Sequence, residues 1–240
     1  MNDYLIEFVS EDSVLISWNS QGALPQPDDA RRIAALTNEL RIEHDSFIVN
    51  VVPAYHTLLL QYHVLKINAA EILSLLHRLL SSSNRPAQTE QTKAGTLHKI
   101  PVYYHPEVAQ DLDSLCASNN LSIDQLVQEH TLQTYTVYAI GFKPGFAYLG
   151  YVPAVLRAPR HESFRGEVAA GSVGIADRQT AIYPSKSPGG WNIIGRTPVP
   201  MLKKNRALLQ VGDEVGFYPI DKDEYLALGG LLEPEVVARQ

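Results

Sequence analysis

Residues 138–153 read YAIGFKPGFAYLGYVP, and residues 168–200 read VAAGSVGIADRQTAIYPSKSPGGWNIIGRTPVP. The glycines of this region are Gly141, Gly145, Gly150, Gly171, Gly174, Gly189, Gly190 and Gly195, and the prolines are Pro144, Pro153, Pro184, Pro188, Pro198 and Pro200. Glycine inside an apolar, β-prone run is typical of a bulge, a tight bend or a close approach of the backbone. Proline confines strands to short pieces between rigid turns. The pattern favours a small β-barrel rich in turns.

Charge is distributed unevenly along the chain. Between Lys143 and Arg206 there are ten Lys or Arg against three Asp or Glu, a net charge of +7, whereas the whole chain carries −6. A cationic region on an acidic protein concentrates small anions or an acidic partner surface. Nucleic acid fits poorly, because the pI is about 5.7 and the cations are scattered between turns. The segment predicts a carboxylate or phosphate site, with solubilising turn residues as the alternative for part of the cations.

Three long motifs lie in order in this region: GFKPGFAYLG at 141–150, AAGSVGIADRQTAIYP at 169–184 and SPGGWNIIGRTP at 187–198. Together they resemble the KipI-like family, which includes the B subunit of bacterial ATP-dependent 5-oxoprolinase and the allophanate hydrolase subunit 1 proteins. The likeness is dense over roughly 130–220 and weaker before it. It implies an α+β N-terminal domain followed by a mainly-β, cyclophilin-like barrel domain.

The length and composition of the chain are typical of a globular protein of one or two domains, since 45% of its 240 residues are hydrophobic and 19% are charged. No secretory signal and no apolar run long enough for a bilayer are evident, so we expect a cytoplasmic protein without membrane contact. The single cysteine, Cys116, fits a reducing compartment. Its place on the apolar face of a predicted helix indicates a buried, inert thiol.

Residues 1–83 predict a small α+β domain made of two strand–strand–helix units. Apolar and polar residues alternate around 4–8 and 14–18, and again around 47–52 and 57–62. One helix should begin near Asp28, and a second should follow Asn68 as its N-cap with Glu71 completing a capping box. The four strands could then pair in one sheet with both helices on one side.

A polar stretch, residues 84–98, is predicted to be a linker, and residues 99–240 are predicted to form the barrel domain. The barrel domain should open with a strand at 100–104 and a helix that starts at Pro106. A second helix over 123–132 has Ser122 as its N-cap, and it leads into a strand over 134–142.

The resemblance also implies site residues. His130 and Tyr135 match an H-x4-Y element and would supply a proton-transfer group and its hydrogen-bonding neighbour. The implied substrate-binding residues are Lys143, Pro144, Gly145, Tyr148, Arg160, Gln179, Tyr183, Gly189, Gly190, Trp191 and Arg196. Among them, Arg160 and Arg196 would hold a carboxylate or phosphate by forked hydrogen bonds. Arg165 departs from the family pattern, because it lacks the usual preceding proline.

Several chemistries are absent from the sequence. There is no GxxxxGK[ST] phosphate loop and no GxGxxG motif, and no Cys/His cluster predicts a metal. Residues 170–174, AGSVG, have the outline of a nucleophile elbow but belong to a strand and turn. The catalytic machinery within the chain is therefore incomplete, as expected for one component of a composite active site.

The resemblance implies one component of an ATP-dependent 5-oxoprolinase that opens 5-oxo-L-proline to L-glutamate. ATP would bind together with a partner protein, with Mg²⁺ as a candidate companion. The implied partners are a sister cyclophilin-like protein of the carboxyltransferase type (the C subunit of 5-oxoprolinase) and the A subunit of 5-oxoprolinase. Two alternatives stay open: a regulatory protein that binds and inhibits a sensor histidine kinase, and a component of an allophanate or urea amide hydrolase.

Overall fold

A computed structural model describes residues 4–18, 23–83, 95–204 and 206–232. The protein is rich in β-strands and carries a smaller number of helices. Two compact units are present. The first comprises 1–96, 136–140 and 210–213, and the second comprises 97–135, 141–209 and 214–240. Within the described residues, no helix is both long enough and apolar enough to cross a bilayer.

The first unit contains four antiparallel strands and two helices. Its elements are β1 (Tyr4–Ser10), β2 (Ser13–Trp18), α1 (Pro27–Glu43), β3 (Ile48–Ala54), β4 (Thr57–Tyr62) and α2 (Ala69–Ser83). The strands pair in the order β1-β2-β4-β3. Alternate side chains such as Ile16 and Leu60 enter one core cluster with Ile33, Leu40 and Leu76 from the two helices. The predicted pairing of these four strands is thus confirmed, within a larger sheet, and both helices share their core.

The start of α2 follows from its cap. The Asn68 Oδ1 atom accepts hydrogen bonds from the backbone N–H groups of Ala70 and Glu71, both at 3.0 Å. The Glu71 carboxylate in return accepts from the Asn68 N–H at 3.0 Å. This reciprocal pair satisfies donors that have no partner inside the helix, and it confirms the predicted capping box.

Two later segments complete the first unit. Ala139 forms a bridge with Ala54 of β3, and Tyr55 donates its N–H to the Tyr138 carbonyl at 3.0 Å. The turn at 210–213 joins the same unit, because Val137 donates to the Asp213 carbonyl at 2.9 Å. The unit is therefore discontinuous in sequence. The linker predicted at 84–98 lies mostly outside the described residues, and the predicted domain boundary stays a prediction.

The second unit carries most of the strands. Its elements are β5 (Leu97–Val102), α3 (Leu112–Asn119), α4 (Ile123–Thr131), β6 (Thr134–Ile140, whose last five residues belong to the first unit), β7 (Ala147–Gly150), a 3₁₀ turn (Ala154–Leu156), β8 (Arg165–Val168), β9 (Ser172–Ala176), β10 (Gln179–Ile182), β11 (Ser187–Gly189), β12 (Asn192–Arg196), β13 (Leu202–Lys203), β14 (Arg206–Ala207), β15 (Glu214–Pro219) and α5 (Lys222–Ala227).

The strands of the second unit pair in three arrangements. Antiparallel neighbours run β7-β10-β9-β12, while β5 and β15 pair in parallel. Two short antiparallel pairs, β8 with β11 and β13 with β14, lie outside that path. Every residue of β9 is buried, so this strand forms the centre of the antiparallel group.

Two predicted boundaries in this unit are wrong. The helix expected from Pro106 begins only at Leu112. Residues 105–112 instead form successive turns, in which a backbone N–H donates to the carbonyl three residues earlier. The strand expected to reach Phe142 ends at Ile140, and Phe142 has a positive φ of 67°. By contrast, Ser122 caps α4 with Gln125 as predicted. Cys116 is buried as predicted, and burial raises the pKa of its thiol.

Candidate functional site

A cavity of about 430 Å³ lies within the second unit. It is lined by Phe142, Phe146, Tyr148, Arg160, Phe164, Ala176, Asp177, Gln179, Tyr183, Pro188, Gly189, Gly190 and Trp191. Seven of these were predicted as binding residues: Tyr148, Arg160, Gln179, Tyr183, Gly189, Gly190 and Trp191. Residues from all three sequence motifs therefore meet in one cavity.

The strand register explains how these residues come together. β7 and β10 pair so that Gln179 lies opposite Gly150 and Ala181 lies opposite Tyr148. The chain leaves β10 at Tyr183, whose N–H donates to the Ser172 carbonyl at 2.9 Å. The cavity wall is thus supported by paired backbone on one side, which fixes its polar side chains more firmly than a free loop would.

The floor of the cavity is aromatic. The Phe146 ring lies 5.0 Å from Tyr148, 5.3 Å from Tyr183 and 5.7 Å from Trp191, measured between centroids and at interplanar angles of 65–85°. Phe142 packs against the same ring at 5.3 Å. Edge-to-face packing of this kind is favourable beyond the area that it buries. Sequence reasoning missed Phe142, Phe146 and Phe164 as cavity residues, because a phenylalanine ring carries no polar group that would distinguish a ligand contact from ordinary packing.

Gly189 and Gly190 allow the lip of the cavity to approach its aromatic walls. A Cβ atom on Gly189 would lie 2.8 Å from Cζ of Tyr183 and closer still to the hydroxyl oxygen. A Cβ atom on Gly190 would lie 2.8 Å from Cδ1 of Phe164. Neither position has room for a side chain, so the lip is formed by backbone alone.

Arg160 is the cation of the cavity lining. Its guanidinium stands 4.9 Å above the Phe164 ring, and its side chain is exposed. Among the residues that the structure describes, no hydrogen-bond acceptor or carboxylate pairs with it. A guanidinium held over an aromatic face with its N–H groups uncommitted is suited to bind a carboxylate or phosphate.

Two phenols face the same space as neutral donors. Burial raises the pKa of Tyr148, and the positive charge of Arg160 partly opposes this. Burial also raises the pKa of Tyr183, opposed by the Trp191 backbone, Arg160 and Arg165. Both hydroxyls therefore stay protonated at neutral pH and can donate hydrogen bonds. Asp177, which was not predicted, adds an exposed carboxylate to the rim.

Four predicted binding residues lie outside the lining. The Lys143 ammonium donates to the Lys186 carbonyl at 3.0 Å, and Arg196 donates through Nε to the Ala170 carbonyl at 2.9 Å. Pro144 is exposed, and Gly145 has a φ of +84° where a Cβ would meet Leu202. Their assignment to substrate binding stays a prediction.

His130 and Tyr135 also lie outside the lining, in the interior of the second unit. His130 is 0% exposed. Its Nδ1 lies 2.8 Å from the Tyr104 hydroxyl, and its Nε2 lies 3.0 Å from Thr180 Oγ1. Thr180 donates its only hydroxyl proton to the Gly174 carbonyl at 3.1 Å. His130 must therefore donate from Nε2 and accept at Nδ1 from Tyr104.

This arrangement keeps the His130 ring neutral. Burial lowers the pKa of His130 to about 3. The Tyr135 hydroxyl donates to the His130 backbone carbonyl at 2.8 Å and so supports the last turn of α4. The contacts join α4, β10 and the segment after β5. No group of three His, Cys, Asp or Glu residues within the described ranges is placed to hold a metal ion.

The chain is similar to a known domain family and to bacterial proteins. The family profile of the carboxyltransferase domain, subdomain C and D, matches residues 4–210. The B subunit of 5-oxoprolinase from Bacillus subtilis is 42% identical over 132 residues, which are 54% of this chain and 55% of that protein. The protein of the same name from Haemophilus influenzae is 47% identical over 122 residues, 50% of this chain and 57% of that protein. The matched part thus spans little more than half the length of these relatives.

Solved structures share the fold. The protein TTHA0988 superposes with a TM-score of 0.73 at 30% identity, covering 90% of this chain and 40% of that one. A conserved uncharacterized protein from Pyrococcus horikoshii gives 0.53 at 35% identity, covering 92% and 100%. The urea carboxylase of Kluyveromyces lactis gives 0.68 at 16% identity, covering 93% and 22%, and is similar in fold alone.

Replacing His130 by Gln tests its buried, neutral state. The folded-state pKa of about 3 lies below the ordinary 6.5, so the unfolded chain binds the extra proton between these values. Stability must fall as the pH falls through that window, by about 2 kcal/mol between pH 7 and pH 5. Urea unfolding at pH 7 and pH 5 measures how much the free energy of unfolding falls between the two pH values. This fall should be about 2 kcal/mol smaller in His130→Gln than in the wild type. The control His63→Gln, at an exposed ring, should keep the wild-type loss; equal losses in all three proteins would contradict the assignment.

Replacing Gly189 by Ala tests the close approach at the lip. The added methyl must displace the buried Tyr183 ring, and overpacking of this kind costs about 1–3 kcal/mol. Gly166→Ala is the matched control, because it lies in β8, the partner strand of β11, and its Cβ would meet nothing within 4 Å. Urea unfolding should place Gly189→Ala well below the wild type and Gly166→Ala at or slightly above it. Equal stability of the two variants would refute the packing argument.

Proposed function

We propose that this chain is one component of a cytoplasmic ATP-dependent 5-oxoprolinase. The premise is that the chain belongs to the family of carboxyltransferase domains of the subdomain C and D type. In this assembly it contributes part of a composite active site that opens 5-oxo-L-proline to L-glutamate. The relatives named as the B subunit of 5-oxoprolinase support this assignment over the matched half of their length. A cyclophilin-like barrel is the architecture that we propose for the second unit.

The observation that carries the proposal is the cavity in which three separate motifs converge around one uncommitted arginine. 5-Oxo-L-proline is a small ring with a free carboxylate and a lactam. Arg160 can hold the carboxylate by a charge-assisted hydrogen bond. Gln179 and Tyr183 supply neutral hydrogen-bonding groups for the lactam, and the rings around Phe146 give the flat ring an apolar floor.

The chain's own part in the reaction is to bind, orient and shield the substrate. The aromatic walls and the backbone lip shield the face of the substrate ring that packs against them, while the side of the cavity with Arg160, Phe164 and Asp177 stays open to solvent. Protonated Tyr148 and Tyr183 can donate hydrogen bonds to oxygen as negative charge develops there. The role of His130 and Tyr135 in proton transfer stays a prediction, and their burial favours support of the fold instead.

The charges of the cavity lining do not match those of ATP. A triphosphate carries about four negative charges, and phosphate sites offer several N–H donors or cations. The lining provides one arginine, and Asp177 adds a carboxylate. We therefore propose that ATP, and Mg²⁺ if it is required, bind with the partner proteins. Activation of the lactam by phosphoryl transfer would then come from that shared site.

The partners follow from the same proposal. A sister cyclophilin-like protein of the carboxyltransferase type (the C subunit of 5-oxoprolinase) and the A subunit of 5-oxoprolinase would complete the enzyme. Together they would supply the nucleotide site and the groups that protonate the departing ring nitrogen.

Reconstitution tests the function directly. Glutamate release from 5-oxo-L-proline and ATP should require this chain together with the A-type and C-type partners, and this chain alone should be inactive. The assembled proteins should release no ammonia from allophanate. Turnover by the isolated chain would refute the composite site, and turnover of allophanate in place of 5-oxo-L-proline would refute the substrate.

Arg160 is the sharpest single test within the cavity. Arg160→Ala removes a charged hydrogen-bonding group that contributes about 1.5–3 kcal/mol, so the KM for 5-oxo-L-proline should rise roughly ten- to hundredfold. Arg160→Lys should recover only part of this, because the charge remains while the forked geometry is lost.

The matched control for this test is Arg157→Ala, since Arg157 is exposed and outside the cavity lining. Thermal melts confirm that each variant is folded. Unchanged kinetics in folded Arg160→Ala would remove Arg160 from the binding site.

A further inference from the structure

A buried carboxylate lies behind the cavity, outside its lining. Asp111 precedes α3, and its side chain is 7% exposed. One oxygen, Oδ2, accepts a hydrogen bond from the Ile193 N–H of β12 at 2.7 Å. The other, Oδ1, pairs with the Arg165 guanidinium. A buried charge is costly unless it is paired and hydrogen-bonded, and both carboxylate oxygens have such partners here.

The guanidinium group of Arg165 contacts separate parts of the chain. Its Nη2 group binds Asp111 and also donates to His161 Nε2 at 3.0 Å. Its Nη1 group donates to the carbonyl of Trp191 at 3.1 Å. A guanidinium makes these contacts from two separate nitrogens, whereas the three donors of a lysine ammonium all lie on one atom.

These contacts join two adjacent walls of the cavity. One wall is the segment 160–164, in which Arg160 stacks over Phe164. The other is the lip at 189–191. Between them, His161 donates its N–H to the Gly190 carbonyl at 2.7 Å. Arg165 therefore holds one end of each wall, and Asp111 holds Arg165.

We propose that Arg165, fixed by Asp111, is a positioning residue that sets the place of Arg160 relative to the Trp191 lip. The inference rests on the proposed function of the cavity, and it adds two residues that lie outside the lining. Neither residue touches the substrate. Both act through Arg160, Phe164 and Trp191.

A double-mutant cycle measures this action. Arg165→Met in the reconstituted assembly should raise the KM for 5-oxo-L-proline about tenfold, with kcat changed less than twofold, because misplacement weakens binding of the carboxylate. In the Arg160→Ala background the same substitution should change KM less than twofold. Arg165→Lys should resemble Arg165→Met. Additive effects of Arg160→Ala and Arg165→Met would show a merely structural role and overturn the proposal.

A second measurement needs no substrate and so separates this inference from the proposed function. The chain has two tryptophans, and a Trp18→Phe background leaves the fluorescence of Trp191 alone. Acrylamide quenching of Trp191 should increase in Arg165→Met and in Asp111→Asn, because Asn replaces one of the two accepting oxygens with an NH2 group that cannot accept. Arg157→Met, at an exposed arginine, is the matched control and should leave quenching unchanged.

The two measurements divide the outcomes. Wild-type quenching in both Arg165→Met and Asp111→Asn overturns the inference whatever the substrate is. Increased quenching together with an assembly that is inactive on 5-oxo-L-proline supports the positioning role and refutes the proposed reaction. Should Arg165→Met fail to fold, Arg165→Lys and Asp111→Asn carry both measurements.

Discussion

The pairing of one buried carboxylate governs the arrangement around the cavity. Asp111 has to satisfy two oxygens away from water, and it does so with a strand N–H and a guanidinium from distant parts of the sequence. Its backbone is engaged as well, because its N–H donates to the Ile193 carbonyl at 3.3 Å and its carbonyl accepts from Ser114 Oγ at 3.0 Å. The start of α3, the course of β12 and the direction of Arg165 all follow from these contacts.

Local signals predicted much of the fold. The alternation of apolar residues defined the strands of the first unit, and the caps at Asn68 and Ser122 defined two helix starts, since both kinds of signal act within a few residues. The start of α3 could not be predicted in the same way. Pro106 is a good first helical residue, but residues 105–111 form turns that place Asp111 against β12. That constraint comes from a residue far along the chain, and no local pattern contains it.

The candidate site shows the same division. Six of the seven predicted residues that line the cavity lie in the three motifs, and the seventh, Arg160, came from the family resemblance. Phe164 lies outside these motifs, and Asp177 lies inside one of them but was not predicted to bind. No motif indicated the contact between Asp111 and Arg165, which are 54 residues apart. His130 presents the opposite case. Its position near a helix end could be predicted from the sequence. Its fixed tautomer depends on Tyr104 and Thr180, which are close to it only in the folded chain.

The parallel pairing of β5 with β15 affects how the protein is made in the cell. Leu97 pairs with Glu214 and Val102 with Pro219, so nearly all of the second unit is synthesised between the two partners. While the ribosome translates that interval, β5 has emerged without the strand that closes its edge. The first unit is also incomplete during this interval, because the turn at 210–213 belongs to it. Contacts between such distant segments slow folding and leave strand edges open to association. Cotranslational folding can therefore complete neither unit until the segment from 210 to 219 has been synthesised.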